Sequence, residues 1–304
     1  MRAFALQTIK MKYRAEALNI RKYHSSNDEL YTAYSDIEKE ITNYIKAFPG
    51  KSVYCNCSDP KKSNFAKFFI RNFESLQLKE FIVSGYNQNG YGVALKINTV
   101  DQPVASDAEY DEFVNKHVYN LSGNGSFDSD ECIKMLNACD IIIDNPPFSR
   151  FRDYVDLLIQ ENKKFLIIGP MMACSYKHCA EYIVQGKFLC GVNKVTDFIN
   201  PEGKTQKLGN VCWFTNLQSS VTRNFIELYK KYNPDEYPMY DGTDIINVNR
   251  LKDIPSDYMG IMGVPTSFIT VYNPAQFKFI NHTKPKINGK HLFERLLIQR
   301  RSSK

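Results

Sequence analysis

From residue 50 onward the hydrophobic pattern switches repeatedly between short apolar runs and longer stretches with helical spacing. Lys51-Ser-Val-Tyr-Cys-Asn-Cys57 reads as a strand; the turn-rich Ser58-Asp-Pro-Lys-Lys-Ser63 and a helix from Asn64 follow it. In that helix Phe65, Phe68, Phe69, Phe73 and Leu76 recur at helical spacing and make one apolar stripe. Lys79–Ser84 predicts a second strand. Cys139-Asp-Ile-Ile-Ile-Asp144 is the clearest strand, β-branched and bounded by polar residues, as a parallel strand covered on both faces should be. A helix over Phe151–Glu161, a strand at Phe165–Ile168, a helix near His178–Gln185 and a strand at Val211–Thr215 continue the series, with hairpin-like sequence before the last. The alternation predicts an α/β fold with a mostly parallel central sheet and helices on both faces.

Two stretches break the rhythm. Residues 85–117 read as an insertion or hairpin, with turn-like Gly85–Gly92, an extra strand at Tyr91–Ile97 and an acidic loop at Asp101–Glu112. His117–Leu121 is then expected as the third strand and Ser129–Asn137 as a short helix. After about residue 220, a helix over Val221–Tyr232 gives way to a Tyr-, Asn- and Pro-rich texture. The expected organisation is a basic N-terminal segment (1–24), a catalytic domain (25–220, with the insertion at about 85–117) and a C-terminal region (221–304).

Composition narrows this picture moderately. The chain has 304 residues, 43% of them hydrophobic, enough for a packed core. No apolar run reaches bilayer-spanning length and the start, Met1-Arg-Ala-Phe-Ala-Leu6, lacks a secretory h-region, so a soluble cytoplasmic protein without a membrane partner is expected. Eight scattered cysteines form no CxxC pair and are read as reduced, mostly buried thiols; no metal site is expected. Cys174-Ser-Tyr-Lys-His178-Cys179 lacks a matching ligand pair or triad partner. Cys55 and Cys57, flanking Asn56 on a strand, are expected on one side of it. Net charge is +6, compatible with a polyanion but equally with solvated tails. The cations cluster at the start (Lys10, Lys12, Arg14, Arg21, Lys22) and at the end (Lys284, Lys286, Lys290, Arg295, Arg300, Arg301, Lys304).

Asn145-Pro-Pro-Phe148 stands at the carboxyl end of the clearest strand, the place where open α/β sheets bind ligands. The prolines fix the backbone and remove two N–H groups, so the loop presents carbonyls. An exocyclic amine offers two donors; the Asn145 side-chain oxygen and the Pro146 carbonyl can accept one each. Pro147 completes the rigid turn, and Phe148 offers a flat apolar face for an extruded base. A plain strand-ending turn uses the same residue types; the buried strand before it and the helix after it favour a site.

Asn145–Phe148 resembles the amino-methyltransferase motif of S-adenosylmethionine-dependent enzymes. Further stretches resemble the EcoRI-type adenine-specific DNA methyltransferase family: Asp28-Glu-Leu-Tyr-Thr32, Val53-Tyr-Cys-Asn-Cys-Ser-Asp-Pro60 with Ser63-Asn-Phe65, Gly123-Asn-Gly-Ser-Phe127, Asp144–Ser149, and Met262-Gly-Val-Pro265 followed by Tyr272-Asn-Pro274. The resemblance runs from about residue 25 to the C-terminus. It implies a Rossmann-like class I methyltransferase fold, S-adenosylmethionine as cofactor, and N6-methylation of a flipped adenine in double-stranded DNA. A bacterial or phage-infected cell, a functionally paired restriction endonuclease and a C-terminal target-recognition region go with it; a monomer is compatible with it, and the oligomeric state is left open.

The resemblance also assigns cofactor contacts, with Asn145 among them. Tyr31-Thr32 matches the N-terminal cofactor motif, whose threonine can bind the methionyl carboxylate; an ordinary N-cap before Asp36 is the other reading. Asp59-Pro60 matches the acid and proline that meet the methionyl ammonium. Asn56 either contacts cofactor or makes a strand-end hydrogen bond. Ser126-Phe127 matches the motif that meets the cofactor adenine, with serine replacing the usual aspartate; either Ser126 makes that contact or Asp128 moves in. Two departures stand out. Ser63, Asn64 and Phe65 replace a glycine-rich loop, with Asn64 able to cap the helix, and no acidic ribose ligand follows Ser84-Gly85. Arg223, Lys230, Lys231, Arg250, Lys252 and the terminal cations are candidate phosphate contacts. RNA adenine or protein glutamine methylation, and a nucleic-acid-binding module without catalysis, remain the alternatives.

Overall fold

The computed structural model describes residues 30–99, 104–200 and 203–302. The basic N-terminal segment, the Asp28-Glu29 part of its motif and Lys304 lie outside these residues. The chain begins with β1 (Tyr31–Thr32) and α1 (Tyr34–Ile41), then runs β2 (Ser52–Cys55), α2 (Asn64–Arg71), β3 (Glu80–Gly85) and β4 (Val93–Ile97). Next come α3 (Asp107–His117), β5 (Val118–Asn120), α4 (Asp130–Ala138), β6 (Ile141–Asp144), α5 (Phe151–Gln160) and β7 (Lys164–Pro170). After α6 (Lys177–Val184) follow β8 (Leu189–Cys190), β9 (Asp197–Ile199), β10 (Thr205–Lys207) and β11 (Val211–Thr215). The C-terminal part is β12 (Ile246–Asn247), β13 (Ile261–Pro265), β14 (Phe277–Thr283), β15 (Lys286–Ile287), β16 (Lys290–His291) and β17 (Arg295–Arg300).

Eight strands form one sheet in the order β5-β4-β3-β2-β6-β7-β11-β8. The central β3, β2, β6 and β7 are parallel, β4 and β11 oppose them, and β5 and β8 return to the central direction. Six of the eight strands thus point one way, giving the mixed α/β fold with a mostly parallel sheet. The chain moves outward from β2 to β3 and resumes on the other side at β6, so β2 and β6 flank a topological switch point, where a crevice opens at the strand ends. Strand alternation feeds both faces: Ile141 and Ile143 join a core with Ile37, Phe65, Phe69 and Trp213, whereas Ile142 joins Tyr154, Leu158 and Ile183. Each such fully buried side chain contributes roughly 1.5–3 kcal/mol.

The four-stranded C-terminal sheet, order β12-β13-β17-β14, packs onto the second core: Met262, Val264, Phe277, Leu296 and Ile298 lie in one buried cluster with α5 and α6. Among the described residues no helix is long and apolar enough to cross a membrane.

Four local expectations are corrected. The expected acidic loop at Asp101–Glu112 is, from Asp107 on, helix α3 (residues 101–103 lie outside the described ones); Asp107 and Glu109 form its first turn, capped by a reciprocal Ser106–Glu109 box (Glu109 N to Ser106 Oγ 3.2 Å, Ser106 N to Glu109 Oε2 2.7 Å), and Tyr110 and Val114 bury one side. His117–Leu121 supplies only the edge strand β5, antiparallel to β4. Val221–Tyr232 is not helical. Phe225 and Tyr229 are exposed there, and side-chain amides hold the segment extended: Ile226 N donates to Gln276 Oε1 and Gln276 Nε2 returns to Ile226 O (2.8 and 2.7 Å). Cys55 and Cys57 sit in opposite cores, because the strand ends at Cys55 and the chain turns at Asn56-Cys57. Of the eight free cysteines, seven are buried and Cys57 is half-buried.

Replacing Ser106 by Ala removes the α3 cap and is expected to lower stability by about 1 kcal/mol in urea denaturation. An unchanged midpoint would contradict the capping assignment.

Candidate active site

Three loops meet at the carboxyl ends of the central strands. Asp144, at the end of β6, is completely buried, and its carboxylate accepts hydrogen bonds from the Cys57 amide, the Ser58 hydroxyl (2.6 Å) and the Asn145 amide (2.8 Å). It therefore ties the loop after β2 to the loop after β6 across the switch point. Burial pushes its pKa up to about 6, against the lowering effect of Ser58, Cys57 and Asn145. Ser58 N also donates to Ser84 O (2.9 Å), adding the end of β3 to the same knot.

The loop between β2 and α2 needs no glycine, since no described residue in it has positive φ. The Asp59 carbonyl accepts the Lys62 and Ser63 amides, and Ser63, rather than Asn64, caps α2 through the Phe65 amide (3.1 Å). Glycines act on the opposite wall. A Cβ on Gly85 would lie 2.7 Å from Asp59 Cα, and one on Gly125, at φ +75°, would lie 2.5 Å from Gly85 O. Close approach of these backbones shapes the wall formed by Tyr86–Tyr91 and Asn124–Phe127.

Asn64 is freed to donate through Nδ2 to the Thr32 carbonyl (2.8 Å), and Asn145 Nδ2 donates to the Leu30 carbonyl (2.7 Å). Two asparagines thus clamp β1, which also pairs with β9, while Ala33 N reaches Asp197 O (3.0 Å). Thr32 is not a helix cap; Ala33 occupies that position, with no side-chain cap bond.

These elements enclose a cavity of about 690 Å³, within the usual range for small-molecule sites. Tyr31, Thr32, Asn56, Asp59, Ser126, Phe127, Asn145 and Pro147 line it. Pro60, Asp128, Pro146 and Phe148 do not. The Pro60 carbonyl accepts the Tyr110 hydroxyl (2.6 Å), Pro146 is buried, and Phe148 packs half-buried against the core. Asp128 binds Arg150 (2.8 Å); burial raises its pKa, but the hydrogen bonds from Arg150 and Ser126 outweigh this and hold it low. Asn56 makes its strand-end bond, accepting the Tyr154 hydroxyl at Oδ1, and still lines the cavity.

Sequence reading missed Lys62, Phe65, Arg150 and the Tyr86–Tyr91 loop as lining residues. Arg150 stacks over Phe127 at 4.4 Å and is fixed by Asp128 and Asp153. Its place two residues after Phe148 was the available signal. The Cys174–Cys179 stretch is core: both thiols are buried, His178 pairs with Asp156 (2.9 Å), and no metal-holding group of His, Cys, Asp or Glu exists among the described residues.

Five buried side-chain polar atoms have no partner among the described residues: Thr32 Oγ1, Asn56 Nδ2, Arg71 Nε, Asn145 Oδ1 and Trp213 Nε1. Three of the five belong to residues that line this cavity. Buried polar groups are nearly always satisfied, so this concentration marks a ligand site.

Comparison with known proteins gives a family. The family model for the adenine-specific methyltransferase EcoRI matches residues 19–302. The type II methyltransferase M.EcoRI of Escherichia coli is 39% identical, over 90% of this chain and 94% of its own. The type II methyltransferases M.MgeORF184P of Mycoplasma genitalium and M.MpnI of Mycoplasma pneumoniae are 38% and 34% identical, each over 86% of this chain and 84% of theirs. No solved structure matches significantly.

Because the folded pKa of Asp144 exceeds its unfolded value of 3.8, its protonated form favours folding below about pH 4, and that contribution is lost as pH rises through about 6. Ionisation nevertheless supplies the acceptor that the three donors require. Cofactor affinity is therefore expected to rise with pH around 6 in calorimetric titration, and Asp144→Asn to weaken binding roughly tenfold or more at pH 7.5. Affinity flat from pH 5 to 7 and unchanged in the variant would contradict this role.

Proposed function

The chain belongs to the family of EcoRI-type adenine-specific methyltransferases and is a site-specific DNA adenine methyltransferase, and from that premise we propose how its cavity performs the transfer. The fold is read as the Rossmann-like class I methyltransferase type, with S-adenosylmethionine held in the cavity at the switch point. The orphaned atoms support that fit. Thr32 Oγ1 offers a donor to the methionyl carboxylate, the Asp59 carboxylate an acceptor to the ammonium, and Asn56 Nδ2 a further donor. Phe127 and the Tyr86–Tyr91 loop offer apolar and aromatic surface for the adenosine, with Ser126 beside them; Asp128 is committed to Arg150. When bound, the cofactor supplies an electrophilic sulfonium methyl group.

The observation that carries the catalytic reading is the orientation of Asn145. Its Nδ2 is spent on the Leu30 carbonyl, so Oδ1 is the end left to accept, and it has no partner among the described residues. An adenine amine placed there gives one hydrogen to Asn145 Oδ1 and the other to the Pro146 carbonyl. Accepting both orients the nitrogen lone pair and raises its electron density. Pro147 keeps the loop rigid. The amide of Asn145 is no base at neutral pH, so the released proton passes to water. Phe148, in the turn beneath, supports the loop against the core and presents its remaining exposed surface to the base.

The C-terminal region is proposed as the target-recognition region. Several of its expected phosphate ligands are already engaged: Arg223 with the Cys190 and Tyr272 carbonyls, Lys230 with Glu236 and Asp253, Lys231 with Asp257, and Arg250 with Asp253. Arg300 and Arg301 are likewise held, by the Ser256 and Pro274 carbonyls; Lys286 and Lys290 have no such pairing among the described residues, and with Lys284, whose contact with Glu294 is 3.7 Å, they are proposed for the phosphates. A cytoplasmic setting and a restriction endonuclease of matching specificity complete the reading.

Asn145→Ala is expected to reduce kcat for methyl transfer to DNA by a factor of about 10²–10³ or more, while cofactor affinity, with β1 still held by Asn64 and by its pairing with β9, falls by less than about threefold, roughly 0.6 kcal/mol. Tritium transfer from labelled cofactor with parallel calorimetry reads both. Retained turnover would overturn the acceptor role of Asn145.

A further inference from the structure

The segment between β14 and β17 carries the most exposed large hydrophobic residue described, Phe293, at 86%. A phenylalanine so placed on a loose loop would mean little, but this segment is braced at three points. Its turn, Asn288-Gly289, has both residues at positive φ (51° and 75°), the geometry of a tight hairpin. The Asp241 carboxylate accepts both turn amides at 2.8 Å, and Asp241 N donates to Lys286 O (2.9 Å). At the base, His282 pairs with Glu294 (2.6 Å) and Lys284 reaches the same carboxylate (3.7 Å), while Leu292 N donates to Pro285 O (2.9 Å). Phe293 is thus fixed in water between two anchored neighbours.

The hairpin is also basic. Residues 284–295 carry Lys284, Lys286, Lys290 and Arg295 against one acid, Glu294. That acid is nearly buried and already serves His282 and Lys284. The topology places this element at the catalytic end of the molecule. β7, beside β6, runs out into the turn Met171–Ser175, where the Cys174 thiol approaches the Thr266 carbonyl (3.9 Å). Thr266 follows Pro265, and Pro265 pairs with Arg295, two residues from Phe293. An exposed apolar ring among lysines, on an element joined through Pro265 and Thr266 to the turn after β7, matches a stacked polyanion better than a second protein surface.

We propose that Phe293 is a wedge that enters the DNA base stack beside the target and lowers the cost of extruding the adenine, with Lys284, Lys286 and Lys290 on the adjoining phosphates. This rests on DNA being the substrate. Unstacking a paired base costs energy that an already unpaired base does not require, so the wedge should matter only for the former.

The test compares single-turnover methyl transfer on two duplexes with the protein's own target sequence, read from the adenines it modifies. In one the target adenine faces thymine; in the other it faces an abasic site. Phe293→Ala is expected to slow transfer on the paired duplex roughly tenfold or more, yet by less than about threefold on the abasic one, with Phe293→Trp close to wild type on both. The side chain is exposed, so the fold should survive, and unchanged cofactor affinity checks this. Equal slowing on both duplexes, or none, overturns the wedge. So does a change in oligomeric state on gel filtration without an effect on the paired duplex, which would make the hairpin a self-association surface. No transfer by the wild-type protein to either duplex would overturn the DNA reading itself.

Discussion

Asp144 has no exposed surface, yet its carboxylate gathers the Cys57 amide, the Ser58 hydroxyl and the Asn145 amide into one knot. Removing a carboxylate from water is costly unless its lone pairs are filled, and here filling them ties the ends of β2 and β6 together at the switch point. The raised pKa records the residual cost of that burial. Everything the cavity offers hangs from these two loop starts: Asn56 and Asp59 leave one, Asn145 and the prolines leave the other.

The second constraint arrives from the far end of the sequence. β1 lies more than a hundred residues before Asn145, but its flanking carbonyls are bound by Asn145 and Asn64. An asparagine side chain is ambiguous, since either end could face a ligand; a carbonyl partner removes the ambiguity by demanding the amine end. The segment that contributes Thr32 to the cavity therefore also sets which atom of Asn145 is left without a partner among the described residues. In the proposed reading, cofactor site and acceptor site share one clamp.

Much of this was legible in the sequence because it is local. The Ile141–Asp144 strand, the Phe65–Phe69 stripe and the Asn-Pro-Pro-Phe turn announce themselves through periodicity and proline, and the resemblance supplied the family. What escaped depends on partners distant in sequence. The extended 221–232 segment is held by Gln276 and Asn273 some fifty residues on. The missing glycine-rich loop was visible at Ser63, Asn64 and Phe65, but not the Ser63-capped turn that stands there, nor the close approach of backbones at Gly85 and Gly125. The acid Glu109 in the first turn of α3 is part of a capping box whose meaning depended on recognising Ser106 as its first member. Asp144 drew attention as an acid, but three donors occupy its carboxylate, and the proposed acceptor is Asn145 beside it.

The orientation of Asn145 is tested most directly by a crystal structure of the protein with a non-transferring cofactor analogue and a duplex carrying its target. Asn145 Nδ2 should remain on the Leu30 carbonyl while Oδ1 lies about 3 Å from the exocyclic nitrogen of an extruded adenine. An Asn145 turned away from Leu30, or an adenine amine held by other groups with Oδ1 facing elsewhere, would contradict it.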